Sequence, residues 1–306
     1  VNILLASVLT VSDIGRVGGE LTRYQYSQLH MGGRVAITLY SASSEAAEAA
    51  AKAGFAEFAR LEDVMSDYRP ASELMRLCEK AAQRPVEASP DLFRVVSIAQ
   101  KISAKSHGAF DITCGPVVAL WRRARETKRL PPKQAIQEAL REVGYRFVRL
   151  DPSRRTIQLL KPGMKLDLGG IGKGYACDAA SAAIRRAGCS IFLIEAGGNI
   201  RAGNPPPNRE WRIGIGKSRV IAIENASVST SGDAEQFVEI GGRRYSHIVD
   251  PRTGIGVTNR VQVTVIGKDG AAADALSTAL CVLGERAGKR LAKEFKCKPL
   301  FLHPGD

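Results

Sequence analysis

Aromatic side chains are scarce in this chain of 306 residues, at 6% of the total. The core is therefore expected to be packed by aliphatic and alanine side chains. Cysteine is present six times, at positions 78, 114, 177, 189, 281 and 297, but never as a C-x-x-C pair. That spacing speaks against a zinc site. A chain of this length can bury a core without disulfides, and Cys177 and Cys281 fall in apolar helical patterns, as core thiols do. Long hydrophobic runs are lacking too. Val1–Val11 is mostly apolar, but it is too short to span a bilayer and has no basic start. It reads as an export remnant or an arm, and residues 1–30 show little periodicity. No internal repeat and no low-complexity linker is visible.

Charge is unbalanced, with 44 Lys and Arg against 31 Asp and Glu, a net of +13. Nucleic acid is the first partner such a balance suggests. The basic residues are spread out, however, and no zinc-finger, RNA-recognition or basic-zipper signature is present, so no nucleic-acid role is expected. A small anionic ligand, an acidic protein or a membrane surface accounts for the charge equally well. The densest cluster, Trp121–Arg129, holds five Lys or Arg and one Glu, and reads as a loop or helix end.

Periodicity predicts a strand over 35–39 and an alanine-rich helix from Ser44 to Met65. A second helix carries Leu92, Val95, Val96, Ala99 and Ile102, with Ser89 as N-cap, Pro90 at its first position and Gly108 beyond its end. Pro131–Pro132 opens a helix that stops at Gly144. Further on, a strand at Lys165–Leu168 enters a glycine turn and a helix from Gly174 to Ala187. Strands follow at 191–194, 211–215, 220–223 and 261–266, with a hairpin around Gly241–Gly242 and a helix at Ala271–Leu283. Hairpins and helix-linked strands together predict an α+β fold with mixed, largely antiparallel sheets and packed helices.

Several segments carry candidate chemistry. Asp167-Leu168-Gly169-Gly170-Ile171-Gly172-Lys173-Gly174-Tyr175 is a strand, glycine turn and helix start, which favours a phosphate near the helix amides. It is neither a Walker A loop, since Asp167 and Gly174 stand at key positions, nor a dinucleotide fingerprint, since Tyr175 stands at the third glycine position. Asp167 and Lys173 flank this turn. Asp274 and Thr278 share a helix face, with Ser277 beside them, and a carboxylate with hydroxyls suits magnesium. A helix-start Asp stabilised by the macrodipole is the plainer alternative. His247 ends a strand before Asp250-Pro251-Arg252-Thr253-Gly254, a position open to a general base or to a structural histidine. Tyr68 precedes a helix starting near Ser72, placed either to stack on a flat ring or to pack in the core. Asp111, in Phe110-Asp111-Ile112-Thr113, is a binding group or a turn former. Val228–Asp233 is a polar loop suited to phosphate contact or to a plain turn.

In this order the segments resemble the ApbE-like FAD:protein FMN transferase family. The series runs Met31-Gly32, Tyr68-Arg69-Pro70-x-Ser72-Glu73, Phe110-Asp111-x-Thr113-x-Gly115-Pro116, Asp167 to Tyr175, Glu195-Ala196-Gly197-Gly198-Asn199, Ser229 to Asp233, Ser246 to Gly254 and Ala273 to Ala279. The resemblance implies a T-fold-related architecture, with a transferase domain over 31–306 and an arm over 1–30. It implies FAD contacts at Met31, Tyr68, Ala109, Phe110, Asp111, Asp167 and Lys173. A magnesium site is implied at Gly170, Asp274, Ser277 and Thr278, and His247 is the implied catalytic histidine. The implied reaction joins FMN to a Thr or Ser of an acceptor protein and releases AMP. Hydrolysis of FAD to FMN and AMP, and FAD binding without turnover, are the alternatives. An extracytoplasmic location, periplasmic or membrane-associated, is implied as well. Two departures stand out: Gly33 replaces the usual Thr, and no cysteine precedes Cys78 for a lipid anchor.

Overall fold

A computed structural model describes residues 16–17, 21–217, 219–233 and 236–303; Val1–Val11 lies outside them. From the N-terminus the elements are β1 (Arg16–Val17), β2 (Leu21–His30), β3 (Gly33–Ser41), α1 (Ser44–Met65), α2 (Glu73–Ala81), β4 (Val86–Glu87), α3 (Pro90–Lys105), α4 (Gly115–Thr127) and α5 (Lys133–Arg141). A short 3-10 turn leads to β5 (Val148–Asp151), β6 (Thr156–Leu159), α6 (Gly172–Arg186), β7 (Phe192–Ala196), β8 (Asn199–Ala202), β9 (Trp211–Ile215) and β10 (Arg219–Ile223). The chain continues through β11 (Ser227–Ser231), β12 (Phe237–Ile240), β13 (Arg243–Ser246), β14 (Val249–Asp250), β15 (Ile255–Gly256), β16 (Gln262–Gly267), α7 (Gly270–Leu283), α8 (Glu285–Glu294) and β17 (Lys298–Leu302).

The central sheet has the order β1-β2-β3-β7-β8-β11-β16-β17, and every pairing in it is antiparallel. This is the α+β class expected from the mixed hairpin and helix pattern. Strand alternation sends the two faces of β3 to different cores. Val35, Ile37 and Leu39 join the large core under α1, α6 and α7. Tyr40 points the other way, where the β9–β10 hairpin covers the sheet with Trp211, Ile213 and Ile215. The Tyr40 and Trp211 rings meet edge-on at 5.9 Å.

Side-chain caps explain half of the helix starts. Ser43, Ser72, Ser89 and Asp269 each accept a hydrogen bond from a first-turn amide of α1, α2, α3 and α7. Helix α1 spans the predicted residues and buries Ala47, Ala50, Ala51, Phe55, Phe58 and Leu61 at three- and four-residue intervals. Cys177 and Cys281 are buried thiols, and all six cysteines are free. No helix among the described residues is long and apolar enough to cross a membrane.

Two expectations are corrected, and one open reading is decided. Leu21–His30 is a strand of the central sheet, not part of an arm. It pairs with β3 in continuous register from Thr22↔Ser41 to His30↔Gly33, although only Tyr26 along it is buried, so its own sequence carries little alternation. Of the two readings of Trp121–Arg129 the helix end holds: α4 runs to Thr127, Lys128 caps it in the left-handed region, and Trp121 anchors it. Its ring is buried against Tyr245 at 5.2 Å, and its Nε1 donates to the Gly254 carbonyl at 2.8 Å. Lys165–Leu168 is extended but forms no ladder. A single bridge joins Lys165 to Cys114, and the Asp167 amide donates to the Ile112 carbonyl at 2.7 Å.

Candidate active site

A cleft of about 720 Å³ opens where the C-terminal end of α1, the α3–α4 turn, the start of α6, the end of β11, the residues after β13 and the middle of α7 converge. Met31, Tyr68, Ala109, Phe110, Asp111, Asp167, Gly170, Lys173, His247, Asp274 and Thr278 all line it. That volume lies within the range of pockets that enclose small-molecule ligands.

At one end α6 and α7 pack almost backbone to backbone. A Cβ on Gly174 would stand 2.1 Å from the Gly270 carbonyl oxygen and 2.7 Å from Asp274 Cβ, so only glycine fits. This closeness lets the Gly174 amide donate to Asp274 Oδ2 at 2.9 Å. Ser229 Oγ donates to Asp274 Oδ1 at 3.2 Å. Asp274 is buried, and burial pushes its carboxyl above the usual carboxylate range. Thr278 Oγ1 lies 3.3 Å from Ser231 Oγ. A Cβ on Gly170 would come within 3.3 Å of the same Thr278 oxygen, so the glycine turn lies directly against it. The Asp274 carboxylate and the Thr278 hydroxyl on one wall of the cleft are hard oxygen donors, which fit magnesium. No group of three or more His, Cys, Asp and Glu is gathered for a metal among the described residues, so any ion here needs hydroxyl, backbone or substrate oxygens as well.

Ser277 is placed differently from its neighbours. It is fully buried and lines no part of the cleft. Its hydroxyl donates to the Asp274 carbonyl at 2.8 Å and meets Ser231 Oγ at 2.7 Å and Ser229 Oγ at 3.2 Å. Its position is behind the oxygen cluster, where it steadies the β11 serines.

His247 follows β13 at the cleft wall. Its Nδ1 lies 3.0 Å from the Gln236 carbonyl oxygen. A carbonyl can only accept, so Nδ1 carries the proton, and in the neutral ring the lone pair sits on Nε2. Burial pushes the imidazole below its ordinary 6.5, and the nearby Arg125 and Lys173 charges push the same way. Lys173, in the first turn of α6, runs beside Gly197, where an added Cβ would stand 3.2 Å from Nζ. Lys173 makes no ion pair among the described residues. The Asp167 carboxylate across the turn is held by Arg122 instead.

Arg122 is the group that sequence reasoning missed. Its Nη2 is 2.8 Å from Asp167 Oδ2, its Nη1 is 2.6 Å from Asp67 Oδ2, and its Cζ lies 4.3 Å from the centre of the Tyr68 ring. Its only sequence signal was the basic cluster of α4, where Val118, Arg122 and Arg125 recur at helical spacing and all reach the cleft. Tyr68 itself is 72% exposed, so it is not a core residue. Asp111 lines the cleft, yet its carboxylate is committed internally. Oδ1 accepts from the Thr113 amide and hydroxyl at 2.8 and 2.7 Å, and Oδ2 accepts from the Tyr145 amide at 2.7 Å. It ties the α3–α4 turn to the segment after α5, while buried Ala109 and Phe110 supply apolar lining. Met31 and Gly32 form the two-residue turn between β2 and β3, both with positive φ, 50° and 76°. That is the turn whose twist matches a hairpin, and it costs more for methionine than for glycine.

The family model described as the ApbE family matches residues 31–301. This chain belongs to the ApbE family. Among curated ApbE-type relatives, a protein named FAD:protein FMN transferase from Klebsiella pneumoniae (strain 342) is 33% identical over 274 residues, covering 87% of this chain and 84% of its own length. One of the same name from Treponema pallidum (strain Nichols) is 31% identical, covering 97% of this chain and 90% of itself. Among solved ApbE structures, the apo flavinyl transferase of Pseudomonas stutzeri superposes with a TM-score of 0.83 at 28% identity, covering 94% of this chain and 92% of that one.

Proposed function

We propose that this chain is a magnesium-dependent FAD:protein FMN transferase, acting on a Ser or Thr hydroxyl of an acceptor protein. The observation that carries the reading is one cleft that holds both a neutral, cation-flanked imidazole and a hard oxygen donor set. The names of the relatives point to the same reaction.

The acceptor oxygen forms a bond to the phosphorus of the FMN half, and the bond from that phosphorus to the AMP oxygen breaks. His247 Nε2 takes the acceptor proton, while the Gln236 carbonyl holds Nδ1–H and so fixes the ring. Asp274, Thr278 and the Gly170 carbonyl would hold magnesium, which when bound neutralises diphosphate oxygens and stabilises charge on the leaving group. Lys173 and Arg125 add positive charge at the same wall. Tyr68 offers an exposed ring for stacking. Beyond these groups the protein's work is positioning, since phosphoryl transfer needs little covalent help.

The test is incubation with FAD, magnesium and a Thr-containing acceptor domain, followed by mass spectrometry. Gain of one FMN on the acceptor, dependent on magnesium, supports the proposal. Free FMN and AMP without acceptor modification would replace it with hydrolysis, and tight FAD binding without turnover with a flavin carrier. The extracytoplasmic location implied by the resemblance is likewise a proposal, checked by cell fractionation.

A further inference from the structure

We propose that Arg122 is a positioning residue for substrate. It holds the Tyr68 ring and the Asp167 carboxylate in one fixed arrangement before FAD enters. The inference rests on the FAD reading above and deepens it.

Arg122 joins three segments that are distant in sequence. It lies in the middle of α4 and is kept in place by its buried neighbour Trp121. Asp67 and Tyr68 come from the loop after α1, and Asp167 from the glycine turn before α6. A guanidinium offers two different surfaces, an edge of N–H donors and a flat face. Here the edge grips two carboxylates, with Nη1 to Asp67 at 2.6 Å and Nη2 to Asp167 at 2.8 Å. Its Cζ sits over the Tyr68 ring at 4.3 Å, within reach of a cation–π contact.

The geometry matters because Tyr68 is so exposed. A tyrosine with 72% of its surface in solvent gains little from packing and is free to sample rotamers unless something backs its ring. Arg122 lies over the ring and most of the remaining surface stays open, in the cleft that both residues line. The arginine is itself restrained from both sides by carboxylates, so the ring is held against a fixed support. Asp167 Oδ1 accepts from the Gly169 amide at 2.8 Å while Oδ2 holds Arg122. The same arginine therefore also orients the carboxylate at the mouth of the glycine turn. Preorganisation of this kind lowers the entropy lost when a ligand binds. Its effect should appear in FAD affinity and KM more than in the transfer rate at saturating FAD, because Arg122 engages Asp67, Asp167 and Tyr68 rather than His247 or Asp274.

A lysine would keep the charge and lose the flat face. Comparing Arg122→Gln with Arg122→Lys thus separates electrostatics from ring support. The experiment is FAD titration followed by flavin fluorescence, with thermal unfolding as a control for folding, on the wild type, Arg122→Gln, Arg122→Lys, Tyr68→Ala and the Arg122→Gln/Tyr68→Ala double variant. We expect Arg122→Gln to weaken FAD binding roughly tenfold, from loss of the ring support and of both ion pairs together. Arg122→Lys should recover less than half of that loss on a logarithmic scale. In the Tyr68→Ala background, Arg122→Gln should cost a clearly smaller factor, since one of its dependants is gone. KM for FAD in the transfer assay should rise while kcat changes less than about threefold. Wild-type affinity in Arg122→Gln, full rescue by lysine, or the same factor in both backgrounds would each overturn the inference. If Arg122→Gln does not fold, Asp67→Asn loosens the arginine from one side and should weaken FAD in the same direction; unchanged affinity there counts against the inference. A wild-type chain that binds no FAD would overturn the functional reading and this inference together. Wild-type binding with indifferent Arg122 variants overturns this inference alone.

Discussion

The Gly174 amide donates to Asp274 Oδ2 at 2.9 Å across a separation of 100 residues. The contact exists because α6 and α7 approach so closely at Gly174 and Gly270 that no side chain fits between them. One carboxylate is thereby aimed by the first turn of a neighbouring helix, whose free amides favour negative charge.

Gly174→Ala tests that approach. In a helix the change would ordinarily gain about 0.5–1 kcal/mol from propensity. Here the added methyl would meet the Gly270 oxygen at 2.1 Å, and overpacking of this kind costs about 1–3 kcal/mol or more. The clash should win. The expected outcome is a lower urea midpoint and weaker magnesium response; an alanine variant as stable as the wild type would show that the two backbones are not so close.

Asp274→Asn tests the metal assignment without leaving a cavity. If Asp274 is a ligand, magnesium at about 100 times its Kd should stabilise the wild type by about 2.7 kcal/mol. The asparagine variant should gain little, and its transfer activity should fall with it. Thermal unfolding with and without magnesium reads the difference directly. An equal magnesium shift in both proteins would remove Asp274 from the site.

His247→Ala should lower transfer by about a hundred- to ten-thousandfold, the usual range for a lost general base, while leaving FAD binding nearly intact. The pH profile carries a second check. The base works in its neutral form, and burial with the Arg125 and Lys173 charges holds its pKa below 6.5. Activity should therefore persist as pH falls through 6.5 and be lost only below it. An acid limb in kcat/KM above 6.5 would contradict the environment described for the ring.

Asp178 offers a stability test away from the cleft. Its Oδ2 accepts from the Gly270 amide at 2.6 Å, while Arg201 stands 3.5 Å from Oδ1. Burial pushes its carboxyl up from 3.8 to about 6, against the pull of Arg201. A raised carboxyl stabilises the fold fully below the unfolded pKa, and this stabilisation is lost as pH rises through about 6. With about a quarter of the side chain exposed to solvent (26%), the loss should be on the order of 1–2 kcal/mol. Asp178→Asn should flatten the stability curve between about pH 4 and 6, measured by urea unfolding at several pH values. A curve as steep as the wild type's would assign that pH dependence elsewhere.

How far the chain could be read beforehand depends on the distance over which each signal acts. Helix α1, the Ser89–Pro90 start of α3 and the span of α7 were legible because caps and 3.6-residue spacing are local. Strand β2 was not, since its order comes from pairing with β3 rather than from its own alternation. Helix α4 was obscured by its own charge, because the Trp121 anchor reaches the Gly254 carbonyl 133 residues away.

Residue type and order by themselves determined the family, the fold class and the chemistry to look for around Gly170, His247, Asp274 and Thr278. Only the tertiary structure decided what each neighbour does. It withdrew Ser277 behind the oxygen cluster, committed the Asp111 carboxylate to a turn, gave Asp167 to Arg122 rather than to Lys173, and set Gly174 against Asp274. The reason is geometric. A hydrogen bond or ion pair depends on ångström distances between segments 45 or 100 residues apart, and those distances follow from how the helices pack, not from any spacing along the chain.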